Sequence, residues 1–215
     1  MKITKRFLAL CILFTAFACN DKQEKPSSSN DDKSVPQPGT IPVQNIPAPS
    51  NLFVTVDVSP MDMSYYPVDY PKLKMANGAA PPPVARVIYS RPHLGKRHLF
   101  HQLLKYDEPW RLGANESTEI QFYKPVTIQD KKIAAGRYIL YCIPHPESWT
   151  IVLNSNIDTW GLRQDTTKDI QRFQIPITTD NEPQEYFTLL FEKTETGADL
   201  FMSWDSIEAR LPIVF

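Results

Sequence analysis

The sequence predicts an all-β fold, a single antiparallel β-sandwich or flattened barrel of about eight or nine strands with at most one short helix. Three observations carry that prediction. Apolar and polar residues alternate with period two in a succession of short runs, which places alternate side chains on opposite faces of a strand. The runs are rich in β-branched and aromatic residues and are bounded by Gly, Pro, Asn or Asp. A helix-like pattern occurs only in KRHLFHQLL (Lys96 to Leu104), for two turns at most.

In chain order the strand runs are LFVTVDV (Leu52 to Val58), VARVIYS (Val84 to Ser90), STEIQFY (Ser117 to Tyr123), GRYILYCIP, SWTIVLN, IQRFQIPIT, QEYFTLLFEK, ADLFMSWDS and IEARLPIVF. They fill residues 51–215, enough chain for one domain that buries roughly 70% of its unfolded surface. Edge strands are expected near Pro176 and Pro212, because proline has no N–H for a ladder. The segment from Ser59 to Pro83 carries six prolines but also Tyr65, Tyr66, Tyr70 and Leu73. It is too apolar for a free linker, and an ordered connection over the core is expected there.

Upstream of this domain the composition changes twice. Lys2, Lys5 and Arg6 precede an unbroken apolar run, Phe7 to Ala18. That run falls well short of the roughly 20 residues that span a bilayer, so residues 1–18 read as a signal peptide. Its end, AFAC (Ala16 to Cys19), resembles the lipobox of bacterial lipoproteins, with Ala16 where Leu is usual. The resemblance implies cleavage before Cys19 and lipidation of that cysteine; the alternative is ordinary secretion. Residues 19–50 are rich in Ser, Asp, Lys and Pro and lack aromatic side chains after Cys19, so they read as a disordered tether. A flexible chain of about 30 residues reaches roughly 30 Å, enough to hold a domain clear of lipid headgroups.

Charge narrows the function classes. The whole chain has 23 Lys+Arg against 24 Asp+Glu, and cleavage would remove three bases and no acid. The mature protein is then anionic, which argues against a nucleic-acid partner and leaves membrane attachment to the acyl chains. Three cysteines make no disulfide framework: Cys11 lies in the signal peptide, Cys19 is the lipidation site, and Cys142 is left without a partner.

The blocks YSRP, PWRLGANESTEI, IAAGRYILY and WTIVLN give the downstream half a specific look. From about Ser59 to the end it resembles the bacterial domain-of-unknown-function family DUF2911. The resemblance implies an exported or lipid-anchored protein and implies no reaction. It agrees with a place in the bacterial cell envelope, at the outer membrane, with the face occupied left open.

The candidate ligand-binding residues are Arg91, in YSRP, then Trp110, Arg111, Asn115 and Glu116, in one loop entering a strand, and Trp160. An Arg beside a carboxylate and an amide can hold sugar hydroxyls or a carboxylate. The same residues can also fix the loop itself, with Trp110 packed on the core and Gly113 in a left-handed turn. Trp160, before Gly161, is a candidate stacking surface; Trp149 and Trp204 fall inside strand runs and read as core.

No catalytic residue is assigned. The chain has no GxSxG elbow, no SxxK motif and no phosphate-cradling glycine loop. Cys142 shares strand parity with Tyr138 and Leu140 and reads as a small packed hydrophobe. His98 and His101 are three apart on the expected helix, without HExxH or CxxC. Asn154, Asn156, Asp158 and Asp165 only partly match a calcium loop, because Thr159 stands where Gly is needed. No metal or cofactor is expected. The reading is a module that binds a glycan, a small polar ligand or a protein partner; the alternative is an envelope enzyme acting on glycans or peptides through Arg111, Asn115 and Glu116.

Overall fold

The computed structural model describes residues 59–76 and 78–215. The segments read as signal peptide and tether, Cys19 and the run Leu52 to Val58 lie outside the described residues. The other eight runs are all strands, and the fold is all-β and antiparallel.

The strands are β1 (Met61–Tyr66), β2 (Ala85–Ser90), β3 (Thr118–Phe122), β4 (Val126–Ile128), β5 (Lys131–Ile133), β6 (Gly136–Pro144), β7 (Ser148–Asn154), β8 (Asp169–Thr178), β9 (Gln184–Lys193), β10 (Gly197–Asp205) and β11 (Ile207–Val214). Their order in space is β1-β2-β3-β6-β7-β8-β11-β10-β9, with the β4–β5 hairpin appended to β11. Period-two burial explains most of them. Ala85, Val87 and Tyr89 point inward on β2, Thr118, Ile120 and Phe122 on β3, and Ile207, Ala209, Leu211 and Ile213 on β11. Side chains such as Trp149, Trp204, Phe173 and Phe187 fill the interior, each worth roughly 1.5–3 kcal/mol or more when fully buried.

The sheet curls until its two ends nearly meet. Strand β9 returns beside β1, where Phe191 N donates to Ser64 Oγ at 3.2 Å and Tyr66 stacks on Phe215 with ring centres 4.5 Å apart. Side chains rather than a ladder bridge this gap, so the domain is a nearly closed, flattened barrel. Opposite the gap, β8 and β11 are joined through only two residue pairs, Thr178 with Glu208 and Ile177 with Ala209. Pro176 lies next to those pairs and Pro212 between them and the Val214 pairing with β4, each on a stretch with a partner on one side only. The prolines thus mark a parting inside the sheet rather than its outer edges, for the same reason: no neighbour there asks for the missing N–H.

Two local expectations change. The Ser59–Pro83 segment contributes a strand, β1, and the short helix α1 (Tyr70–Ala76), with Tyr70 buried and Leu73 exposed. The stretch expected to be helical is not: Phe100 is extended, His101 has φ 77°, and the turn is closed by Leu104 N donating to Leu99 O at 2.8 Å. Leu99 and Leu104 are buried all the same. Their spacing mimicked a helix because both side chains enter the core from an irregular turn.

Candidate functional site

Trp110 organises the site. Its N–H donates to Cys142 O and its carbonyl accepts from Cys142 N, both at 2.7 Å, which fastens the loop after Pro109 to β6. Its ring lies edge-on to Phe187 and Trp149 and stacks on Trp204 at 5.6 Å. The indole N–H donates to Gly113 O at 3.1 Å, which satisfies the one polar atom of the buried ring.

The loop then turns back on itself. Leu112 is fully buried with φ 52°, and its carbonyl accepts from Thr118 Oγ1 at 2.6 Å. The left-handed residues are Leu112 and Asn115 (φ 61°), not Gly113. Gly113 is needed for space instead: a Cβ there would press on Ser90 O at 3.1 Å and on Thr118 Oγ1 at 3.2 Å. Arg111 donates from one terminal nitrogen, Nη1, to Asn115 O at 2.7 Å and Trp160 O at 3.1 Å. It thereby pins the 156–165 loop against this one.

Beside Trp110 opens a cleft of about 500 Å³. Trp110 and Trp204 line its apolar part with Leu103, Leu104, Pro92, Pro109 and Leu162. Arg97, Lys105, Arg111 and Glu108 bring charge to it, and His93 an imidazole ring. The turn carrying Arg97 is held by β9: Leu94 N donates to Glu185 O at 2.9 Å and Gly95 N to Glu185 Oε1 at 2.8 Å. Arg97 itself donates to Leu94 O and His93 O, at 2.8 and 2.9 Å. The other wall is clamped by His145, whose Nδ1 lies 2.5 Å from Asp107 Oδ1 and whose Nε2 lies 3.2 Å from Thr150 Oγ1. Asp107 N also donates to Pro144 O.

The electrostatic balance here is one-sided. Among the described residues Glu108 is the one carboxylate lining the cleft, and it pairs with Lys105 at 3.2 Å. Neither Arg97 nor Arg111 has a carboxylate within ion-pair distance among the described residues. Burial holds the Arg111 guanidinium below its ordinary value, against the opposing pull of the Glu116 charge.

The sequence-derived candidates separate. Trp110 and Arg111 line the cleft; Asn115 and Glu116 are exposed and outside its lining, and Asn115 contributes its carbonyl to Arg111. Trp160 is 61% exposed and its carbonyl is taken by Arg111, while its neighbours Gly161 and Leu162 reach the cleft. Arg91 sits elsewhere, at the barrel's gap. It donates to Phe187 O and Thr188 Oγ1 of β9, both at 3.3 Å, and faces Asp62 of β1 at 3.4 Å. Sequence reasoning missed Arg97 and Lys105 as cleft residues; Trp204 is core, as expected, and borders the cleft from that position. The run of basic residues in GKRHLFHQLLK was the available signal, obscured by the helical reading.

The partial calcium-loop pattern is consumed by the fold. Asn154 donates to Asp165 O and Asp169 Oδ1, Asp158 accepts from Arg137, and Asp165 caps the turn at Thr167. No group of three His, Cys, Asp or Glu side chains is gathered for a metal among the described residues. Cys142 is buried in the core, and burial pushes its thiol well above its ordinary range.

Fold and site together define a nearly closed antiparallel barrel with a tryptophan-lined, cation-rimmed cleft. The chain belongs to the family described as Protein of unknown function (DUF2911), whose model matches residues 78–213. That span starts later than the resemblance drawn from the sequence blocks; it leaves out β1 and α1 and includes every cleft residue except Ser59. No curated protein and no solved structure matches this chain.

Proposed function

We propose that this protein is a lipid-anchored component of the bacterial cell envelope whose barrel binds a small polar ligand in the Trp110–Trp204 cleft. The observation that carries the binding half is the cleft itself. It combines a concave apolar lining with a few convergent polar groups and is large enough for a small molecule. The anchoring half rests on the basic start, the apolar run and the AFAC–Cys19 junction. An enzyme working through Arg111, Asn115 and Glu116 has less support, because Glu116 lies outside the cleft. The paired carboxylates of a glycosidase are not assembled there, since Glu108 is the cleft's one carboxylate among the described residues.

The two halves are tested separately. Cells expressing the full chain should incorporate labelled palmitate into it and retain it in the membrane fraction, and Cys19→Ala should do neither. Equal membrane retention of both forms overturns the anchor. For binding, the protein is screened by thermal shift against small acids, sugars and peptides. Ligands that stabilise it should lose their effect in Trp204→Leu, and stabilisation unchanged by that variant places binding elsewhere.

A further inference from the structure

We infer that the cleft selects an organic anion: a carboxylate or phosphate group held by Arg111 and Arg97, joined to an apolar body that lies against Leu103, Pro109 and Leu162, over the buried Trp110–Trp204 pair. The inference rests on the proposal that this cleft is a binding site and names the ligand's chemistry. A guanidinium carries five N–H donors. Arg111 commits only Nη1, to two backbone carbonyls, and among the described residues its Nε and Nη2 make no protein hydrogen bond. Arg97 commits Nε and Nη2 to backbone carbonyls and leaves Nη1 in the same condition. The backbone bonds hold both groups in place without neutralising either. Glu108 is answered by Lys105, and Glu116 and Glu185 stand outside the lining, so the excess charge of the lining itself is that of two guanidiniums.

Each alternative ligand class fits this arrangement less well. A cation would be repelled. A neutral sugar needs acceptors as well as donors for its hydroxyls, and the amide and carboxylate of Asn115 and Glu116 lie outside the cleft. An anion without an apolar body would leave the apolar lining of Leu103, Pro109 and Leu162 unused. An anion with an apolar body uses both features, since guanidinium forks match carboxylate and phosphate oxygens and the apolar side chains take that body out of water.

The test uses the full chain in detergent and three probes of one shape: 2-naphthoate, 2-naphthyl phosphate and the uncharged 2-naphthamide. Binding is measured by calorimetry and located by the indole N–H resonances of Trp110 and Trp204. One or both anions should bind at least about tenfold tighter than the amide, a difference of about 1.4 kcal/mol, and shift both indoles. The tighter of the two identifies the headgroup. Arg111→Gln should remove most of that preference by weakening the anions far more than the amide, and Glu108→Gln should strengthen anion binding. If Arg111→Gln does not fold, Arg97→Gln, an exposed substitution, is read in its place. Equal binding of anions and amide at the indoles overturns the anion inference and leaves the binding site standing. Indole shifts produced by neutral oligosaccharides alone overturn it in the same way. No shift from any of these compounds overturns both.

Discussion

Where β8 begins, each charged or polar side chain answers another. Asp169, with a side chain only 11% exposed, accepts from the Tyr141 hydroxyl at 2.8 Å, from Asn154 at 2.8 Å and from Arg172 at 2.7 Å. Nearby, Arg137 joins Glu119 and Asp158. At the cleft the two guanidiniums are held by carbonyl oxygens, and the one carboxylate of the lining among the described residues is spent on Lys105. Both regions are ordered and both bring charge to the barrel. A network closed on itself contributes to the fold, because buried polar groups are costly when left unmatched. A set of positioned but unmatched cations gives the fold little and leaves donors for something else.

The widest separation between the two regions should appear on removing their central side chains. Asp169→Ala strands the Tyr141 hydroxyl and one N–H of Asn154 and leaves Arg172 without its partner. The expected loss is about 2–4 kcal/mol in urea denaturation. Arg111→Gln gives up two bonds to carbonyl oxygens at a part-exposed site and should cost about 1 kcal/mol or less. Equal losses would mean that the cleft cations are as structural as the network, and the contrast would fail.

A substitution between the regions sharpens the point. Gly161 has φ 75°, and a Cβ there would collide with Ser117 Oγ and approach Arg111 Cβ to 3.3 Å. Ser117 Oγ is buried with no hydrogen-bond partner among the described residues, and its Cβ also lies 3.3 Å from the added carbon, so rotating the hydroxyl relieves only part of the overlap. Gly161→Ala should cost about 1–3 kcal/mol through the left-handed backbone and the overlap. It should also weaken ligand binding, because Leu162 next to it lines the cleft. A variant with wild-type stability and wild-type binding would show that the 156–165 loop does not set the cleft's wall.

The contrast between regions follows what the sequence could reveal. Strands β2, β3, β6 and β7 were readable because each repeats a short-range rule: Val87 and Tyr89 two apart, Ile120 and Phe122 two apart. The same rule failed at Leu99 and Leu104, whose burial comes from a turn closed on itself rather than from a repeating dihedral. It also passed over β1, where prolines on either side hid a short edge run. Of the site, Trp110 and Arg111 stood out as one block. Arg97 and Trp204 reach the same cleft from a turn pinned by β9 and from β10, and no local period records that convergence. Asn115 and Glu116 were drawn in by adjacency alone, and the left-handed backbone at Asn115 sits in an exposed bend outside the lining.

The mildest test separates the regions by alkali. Burial first, and then the charge of Asp62 over an opposing backbone bond, pushes the Tyr89 hydroxyl from 10.0 up to about 12. Burial and then the bond to Asp169 raise Tyr141 further. In the unfolded chain both ionise near their ordinary value of about 10. Above that pH the unfolded chain has lost protons that the native state keeps, so the stability these groups contribute is complete below about pH 10 and drains as pH climbs toward the folded values. Each such tyrosine should add a slope of up to about 1.4 kcal/mol per pH unit in that window. Buried Cys142 acts in the same direction, beginning near its ordinary value of 9.0. The guanidinium of Arg111 stays charged throughout, so molecules still folded should keep their preference for anions. Urea midpoints measured from about pH 8 to 11 should therefore fall in the wild type and fall less in Tyr141→Phe and Tyr89→Phe. If both variants keep the wild-type slope, the alkaline loss arises outside these two hydroxyls. If anion binding collapses before the fold does, the cleft draws on a group that titrates in this range, and its charge is not that of the arginines alone.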